Sequence, residues 1–210
     1  MRSKLAIVVA ALGAAIALLA TTDLVPAANY DELLAQAKRD STSVDFQTLR
    51  YAYADSDSYD PYNAKEGELR VAMVKAFAEK DCGAAIKNAQ AILERNYLYI
   101  EAHMIADLCY RRSNELQQAK HHEQMARGLF ASITASGNGK TPKTAYVVIS
   151  VPEEYSVLSM SGLKRTRQAL LRLEGHRYDR LTVLNKSGGI EDVFFNIDRL
   201  YAWGMRKKKP

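Results

Sequence analysis

The feature that most limits the possible folds is a run of helical periodicity from Lys65 to Phe130. Apolar residues return there every three or four positions: Leu69, Met73 and Phe77, then Ile86, Ala89 and Leu93, then Ile105 and Leu108, then Leu116, Ala119, Ala126 and Phe130. Each such stripe has to be buried against a neighbouring element. Breaks at Asp81-Cys82-Gly83, Arg95-Asn96 and Arg112-Ser113-Asn114 cut the run into four helices, which short connections fold into two antiparallel pairs.

Two shorter helices are expected before this run, over Tyr30 to Lys38 and Val44 to Tyr53, the second with Asp45 placed to accept from free N–H groups at its start. A polar, Tyr-containing loop follows, closed by Pro61. After Phe130 the pattern changes. Ser136-Gly137-Asn138-Gly139 reads as a loop, and Tyr146 to Ile149 has strand composition. Pro152 opens a helix through Met160 with Glu153 and Glu154 in its first turn. Extended runs then cover Gln168 to Leu173, Tyr178 to Asn185 and Ile190 to Ile197, the last two joined by the hairpin turn Lys186-Ser187-Gly188-Gly189. The expectation is an α+β fold, with N-terminal and central helical hairpins followed by a small antiparallel sheet carrying one intervening helix. The sheet's own core is too small to stand alone and should pack on the helices. A single domain is expected over 28–204, its helical part at 29–134 and its sheet part at 143–200.

The N-terminus reads as an export signal. Arg2 and Lys4 precede the apolar run Leu5 to Ala20, and Val25 and Ala27 present small residues for cleavage, so 1–27 is expected to be a signal peptide and the product periplasmic or secreted. The alternative is an uncleaved anchor, for which the run is short of the roughly 20 residues a bilayer demands. No later segment is apolar enough to span. Removing Arg2, Lys4 and Asp23 takes the formal charge from +5 to +4, and the run Arg206 to Lys209, within a basic tail at 205–210, carries all of it. The body is thus neutral overall. A nucleic-acid partner, which calls for a basic face, is not expected.

In the periodic region Gly83-Ala84-Ala85-Ile86 stands 34 residues before Gln117-Gln118-Ala119-Lys120, and Tyr110, Ala119 and Ala126 occupy the Tyr and Ala positions of the tetratricopeptide pattern. His103, Asp107 and Glu123 depart from its Trp, Gly and Phe, so the centre resembles a degenerate tetratricopeptide pair. A second resemblance spans most of the chain. It rests on Val44-Asp45-Phe46 with Leu49-Arg50-Tyr51, Asp60-Pro61-Tyr62, Ser136-Gly137-Asn138-Gly139-Lys140, Val148 to Tyr155 (VISVPEEY) and Phe194-Phe195-Asn196-Ile197-Asp198. In order and spacing these phrases resemble the bacterial domain of unknown function 4919 family. The resemblance implies an exported protein of this size, with no established activity and no catalytic residues to carry over.

Chemistry-bearing motifs are sparse. Thr134 to Thr141 (TASGNGKT) falls one residue short of a phosphate loop and lacks the preceding strand. Asp55, Asp57 and Glu66 sit at calcium-loop positions, but Tyr59 and Asp60 replace a ligand and the turning glycine. The adjacent His121 and His122 point about 100° apart and cannot easily share an ion. Glu153 and Glu154 diverge on one turn and are expected to complement the helix dipole. Cys82 and Cys109 are read as free thiols, because a seven-residue offset in the repeat register separates them by about 10 Å along the helix axis. No catalytic residue, metal site or cofactor is called for.

Binding residues are the remaining candidates. Tyr51, Tyr53, Tyr59 and Tyr62 form an aromatic concentration that can stack on a sugar or grip a peptide if exposed, or pack the first helices onto the repeat if not. Tyr59 and Tyr62 are taken as binding candidates. Arg111 and Arg112 join them, at a helix end where a repeat groove would offer them to an acidic ligand. The chain therefore reads as a non-enzymatic binding or scaffold protein of the cell envelope, whose partner is a protein or a cell-surface polymer. The alternative is an envelope hydrolase with a site between helices and sheet. A deep polar cleft with converging carboxylates or a His would favour the enzyme; a shallow aromatic groove would favour binding.

Overall fold

The structure is a computed structural model and describes residues 29–62 and 66–207. The signal peptide expected over 1–27 lies outside the described residues. Helix α1 (Tyr30–Arg39) is capped by Asn29 and α2 (Phe46–Asp55) by Asp45, whose carboxylate accepts from the N–H groups of Gln47 and Thr48. The periodic run folds as four successive helices: α3 (Gly67–Ala78), α4 (Cys82–Arg95), α5 (Ile100–Arg112) and α6 (Leu116–Thr134). Their contacts are made with small side chains. Ala85 and Ala89 of α4, Ala102 and Ala106 of α5, and Ala119 of α6 are all fully buried, which lets the axes approach closely. These residues, with Met73, Ile92 and Cys109, form a repeat core.

A second core fills the junction between helices and sheet. The sheet comprises β1 (Tyr146–Val147), β2 (Lys164–Leu173), β3 (His176–Leu184) and β4 (Ile190–Asn196), with α7 (Val151–Ser161) between β1 and β2 and α8 (Asp198–Lys207) after β4. The strand order is β1-β4-β3-β2. β2 pairs antiparallel with β3 and β3 with β4, whereas β1 lies parallel to β4. The sheet is therefore mixed, not wholly antiparallel. The short-link rule applies to β2, β3 and β4, but β1 reaches β4 only after α7 and two strands intervene. Helix α8 is a second departure: its backbone carries the chain through Lys207, where a tail was expected from 205.

The junction core takes Leu49 and Tyr53 from α2, Met125, Leu129 and Ile133 from α6, Val157 from α7, Leu181 and Val183 from β3, and Phe195 from β4. The approach of α2 to α6 depends on Gly128. A Cβ there would meet the Phe46 ring at 2.1 Å. One ion pair is buried among these apolar groups. Arg50 donates through Nε and Nη2 to the two Glu153 oxygens at 2.8 Å, through Nη1 to Ser132, and again through Nη2 to the Val147 carbonyl. Glu153 also accepts from the Ile149 N–H. Burial works against the Arg50 charge, but Glu153 outweighs it and holds the guanidinium above its ordinary pKa. One side chain thus ties α2, α6, β1 and α7 together.

Candidate functional site: a cleft between the repeat helices and the sheet

A cleft of about 590 Å³ opens where the starts of α3 and α5 face α7 and the beginning of β2. One wall carries Arg70 and Glu101, joined by two hydrogen bonds from Nε and Nη2 of the arginine. Tyr99 stands beside them, its phenol pushed up to about 12 by burial, so it stays a neutral donor. The opposite wall carries Tyr155 and the cations Lys164 and Arg165. The Arg165 guanidinium lies 5.2 Å from the centre of the Tyr155 ring. Tyr62, half exposed, closes one end and packs edge-on against Trp203, with ring centres 5.7 Å apart. Among the described residues Glu101 is the sole carboxylate on the lining, Arg70 already engages it, and no histidine lines the cleft.

A polar chain runs inward from this rim. Arg165 donates to Gln168 Oε1 at 2.8 Å, and Gln168 Nε2 donates to Asp179 Oδ2 at 2.9 Å. Asp179 faces Glu154 of α7, whose two oxygens are buried and receive no donor from the described residues. Burial first, then the neighbouring Asp179, raises the Glu154 pKa well above the carboxylate range. Burial also raises Asp179. Burial and the facing carboxylate both favour the neutral acid at Glu154. The pair is sealed behind the cleft. It shapes the wall and does not reach a ligand in it.

The four candidate binding residues are scattered. Tyr62 lines the cleft. Tyr59 is buried against Tyr53, and its hydroxyl donates to the Ile149 carbonyl, so its ring offers no stacking face to solvent. Arg111 is held by Asp107 and Glu123, and Arg112 lies over the Phe77 ring, 4.7 Å from its centre. Neither arginine lines the cleft. Sequence reasoning missed Arg70, Tyr99, Tyr155, Lys164 and Arg165. The available signal was the basic density of 164–180, which holds six Lys or Arg against two acids in a body that is neutral overall.

A family model described as a domain of unknown function (DUF4919) matches residues 23–206. The chain belongs to the DUF4919 family. No curated protein and no solved structure matches it significantly. The phrases by which the sequence resembles the DUF4919 family meet at the junction. Arg50 pairs with Glu153, the Val151 N–H donates to the Pro61 carbonyl at 2.9 Å, and Phe195 lies fully buried beside Tyr146. Asn138 and Gly139 both donate to the Thr144 carbonyl, folding the glycine loop back toward β1. In this chain those phrases build the seam that shapes the cleft.

Elsewhere the structure revises two local expectations. His121 and His122 do diverge, but His103 of α5 joins them: its Nδ1 lies 2.8 Å from His122 Nδ1, and its Nε2 lies 2.8 Å from the Tyr97 carbonyl. That carbonyl requires a proton on Nε2, so His103 Nδ1 accepts from His122. Burial, reinforced by His122, pulls His103 down to about 3, and burial with His121 pulls His122 to about 4. Cys82 and Cys109 are free thiols, but they are not far apart: burial and then the adjacent Cys82 push Cys109 up to about 12.

Proposed function

We propose that the protein is a non-enzymatic binding or scaffold component of the cell envelope, and that the junction cleft is its ligand site. The observation that carries this reading is the lining. Three tyrosines and two unneutralised cations surround a space of about 590 Å³ whose one carboxylate is already paired. Aromatic faces stack on sugar rings or on flat peptide groups, and the cations favour an acidic partner. The export signal read from residues 1–27 supports the envelope as its place. The partner is a protein or a cell-surface polymer.

The hydrolase reading draws on one observation, the Glu154 and Asp179 carboxyl pair between α7 and the sheet. Its burial argues against it, because an acid must reach the proton it transfers. One experiment separates the two. The purified protein is titrated with soluble neutral and anionic cell-surface polysaccharides while release of reducing ends is followed. Saturable binding that weakens about tenfold in Tyr62→Ala and Tyr155→Ala without cleavage fits the binding reading. Cleavage abolished by Glu154→Gln establishes the hydrolase instead.

A further inference from the structure

β2 is the longest strand of the sheet at ten residues, and among the described residues no strand pairs with its outer flank. An edge of that length offers a row of main-chain donors and acceptors to any extended segment of suitable composition. Its side chains specify what is suitable. Lys164, Arg165, Arg167 and Arg172 are the charged residues of β2, with no acid among them. Lys164, Arg167 and Arg172 form no ion pair with the described residues. Between the cations stand Leu170 and Leu173, 65% and 45% exposed. Leu170 lies opposite Asp179 on the helix-facing side, and Leu173 lies opposite His176 on the other, so apolar surface is open on both sides of the same edge.

We infer that β2 is a docking edge for an acidic, extended segment of another protein, which adds to the sheet as a fifth strand. Cross-strand pairs set which segment fits. Arg167 and Leu173 lie on one face of the strand and Leu170 and Arg172 on the other, so the segment that fits sets glutamate or aspartate beside Arg167 on one face and beside Arg172 on the other, with apolar residues over Leu170 and Leu173. A second copy of this chain does not fit, because pairing β2 with β2 would set cations against cations. A polyanion such as nucleic acid satisfies the charges but leaves both leucines uncovered. The edge is a surface apart from the cleft, although Lys164 and Arg165 begin at the cleft's rim, so the cleft reading can fail while this one stands.

The test uses the full chain and a dye-labelled peptide as long as β2 in which two glutamates five residues apart can face Arg167 and Arg172, with valine at the positions that face Leu170 and Leu173. Two controls are the same peptide with lysine for glutamate, and a version of equal charge interrupted by proline, which cannot complete a ladder. Fluorescence anisotropy should show the matched peptide binding at least about tenfold more tightly than either control, with a comparable loss in Arg167→Glu/Arg172→Glu and a smaller loss in Leu170→Thr. Amide exchange along β2 should slow when the peptide is added. Tyr62→Ala should bind it unchanged. Equal binding of the proline-interrupted peptide would overturn the inference in favour of a simple polyanion surface. So would a charge-reversed variant that keeps its affinity and only self-associates, since the cations would then merely guard the edge.

Discussion

Between α3 and α6 the chain buries alanines; between the helices and the sheet it buries charges. The repeat core is assembled from neighbours in sequence, and five fully buried alanines decide how closely its helices pack. The junction core draws on α2, α6, α7, β3 and β4, and its centre holds an Arg50–Glu153 pair formed across 103 residues. The first region tolerates little added volume. The second tolerates no loss of a partner. A repeat core is specified by shape, and the junction by polar complementarity, which fixes one register of helices on sheet but is costly when half of it is removed.

The largest effect should come from breaking the junction's pair. Arg50→Ala leaves the Glu153 charge buried without its cation and is expected to lose about 3–5 kcal/mol in chemical denaturation. Arg50→Met combined with Glu153→Leu should lose much less, because the uncompensated charge is gone. If the double variant is as damaged as the single one, packing and not charge dominates the junction.

The corresponding test of the repeat core is Ala106→Leu, which forces extra methylenes between α4, α5 and α6. A loss of about 1–3 kcal/mol is expected, read from the same denaturation midpoints.

The two regions should also respond to pH in opposite directions. His103 and His122 have folded pKa values near 3 and 4, below the unfolded value of 6.5. The unfolded state therefore binds more protons in that window, and stability present above pH 6.5 is lost as pH falls toward 4. A loss of about 1–3 kcal/mol between pH 7 and 5.5 is expected from this pair. His122→Asn, which keeps a donor toward His103, should flatten the acid limb. Glu154 and Asp179 are raised instead, so the stability they contribute is complete below the ordinary carboxylate range and is lost as pH rises through their folded values. Glu154→Gln should then gain stability at neutral pH and leave the acid limb alone. Thermal melts across pH 4–9 would check both limbs, and a Glu154→Gln curve parallel to the parent at every pH would remove the junction's half of the contrast.

The smallest effect is expected from Arg111→Ala. Its ion pairs with Asp107 and Glu123 lie at the surface, where solvent screens them, so the melting midpoint should hardly move. A large drop would mean that the repeat also relies on charge.

What the sequence disclosed follows the same division. Helices α3 to α6 and the breaks between them were legible because a 3.6-residue stripe is a local pattern, and β3 and β4 because a glycine turn joins them. Asp45 was legible as a cap for the same reason. The pairing of β1 with β4 was not, since nothing local in Tyr146 and Val147 names a partner near Phe195. No helix was read over 198–204, and the end of α8 from Met205 was read as a tail because the run Arg206 to Lys209 resembles a solvated terminus. Glu153 and Glu154 were legible as first-turn carboxylates, but their burial and their different partners depend on residues far along the chain. The cleft has the same origin: Tyr62 was found as part of an aromatic concentration, while Arg70, Tyr99 and Tyr155 become neighbours only when α3, α5 and α7 converge.

Helix α6 belongs to both cores: Ala119 packs in the repeat, while Met125, Leu129 and Ile133 face the junction. During synthesis the first half of α6 can dock on α5 as soon as it emerges. The second half can meet α2 at Gly128, but it also packs on β1 and α7, which come later in the chain. A chain folded only as far as α6 would leave part of this apolar face uncovered, the kind of surface that chaperones hold and that aggregation consumes. Because the sheet that completes the junction comes last in the chain, α6 can be seated on α2 and α5 well before its remaining face is closed.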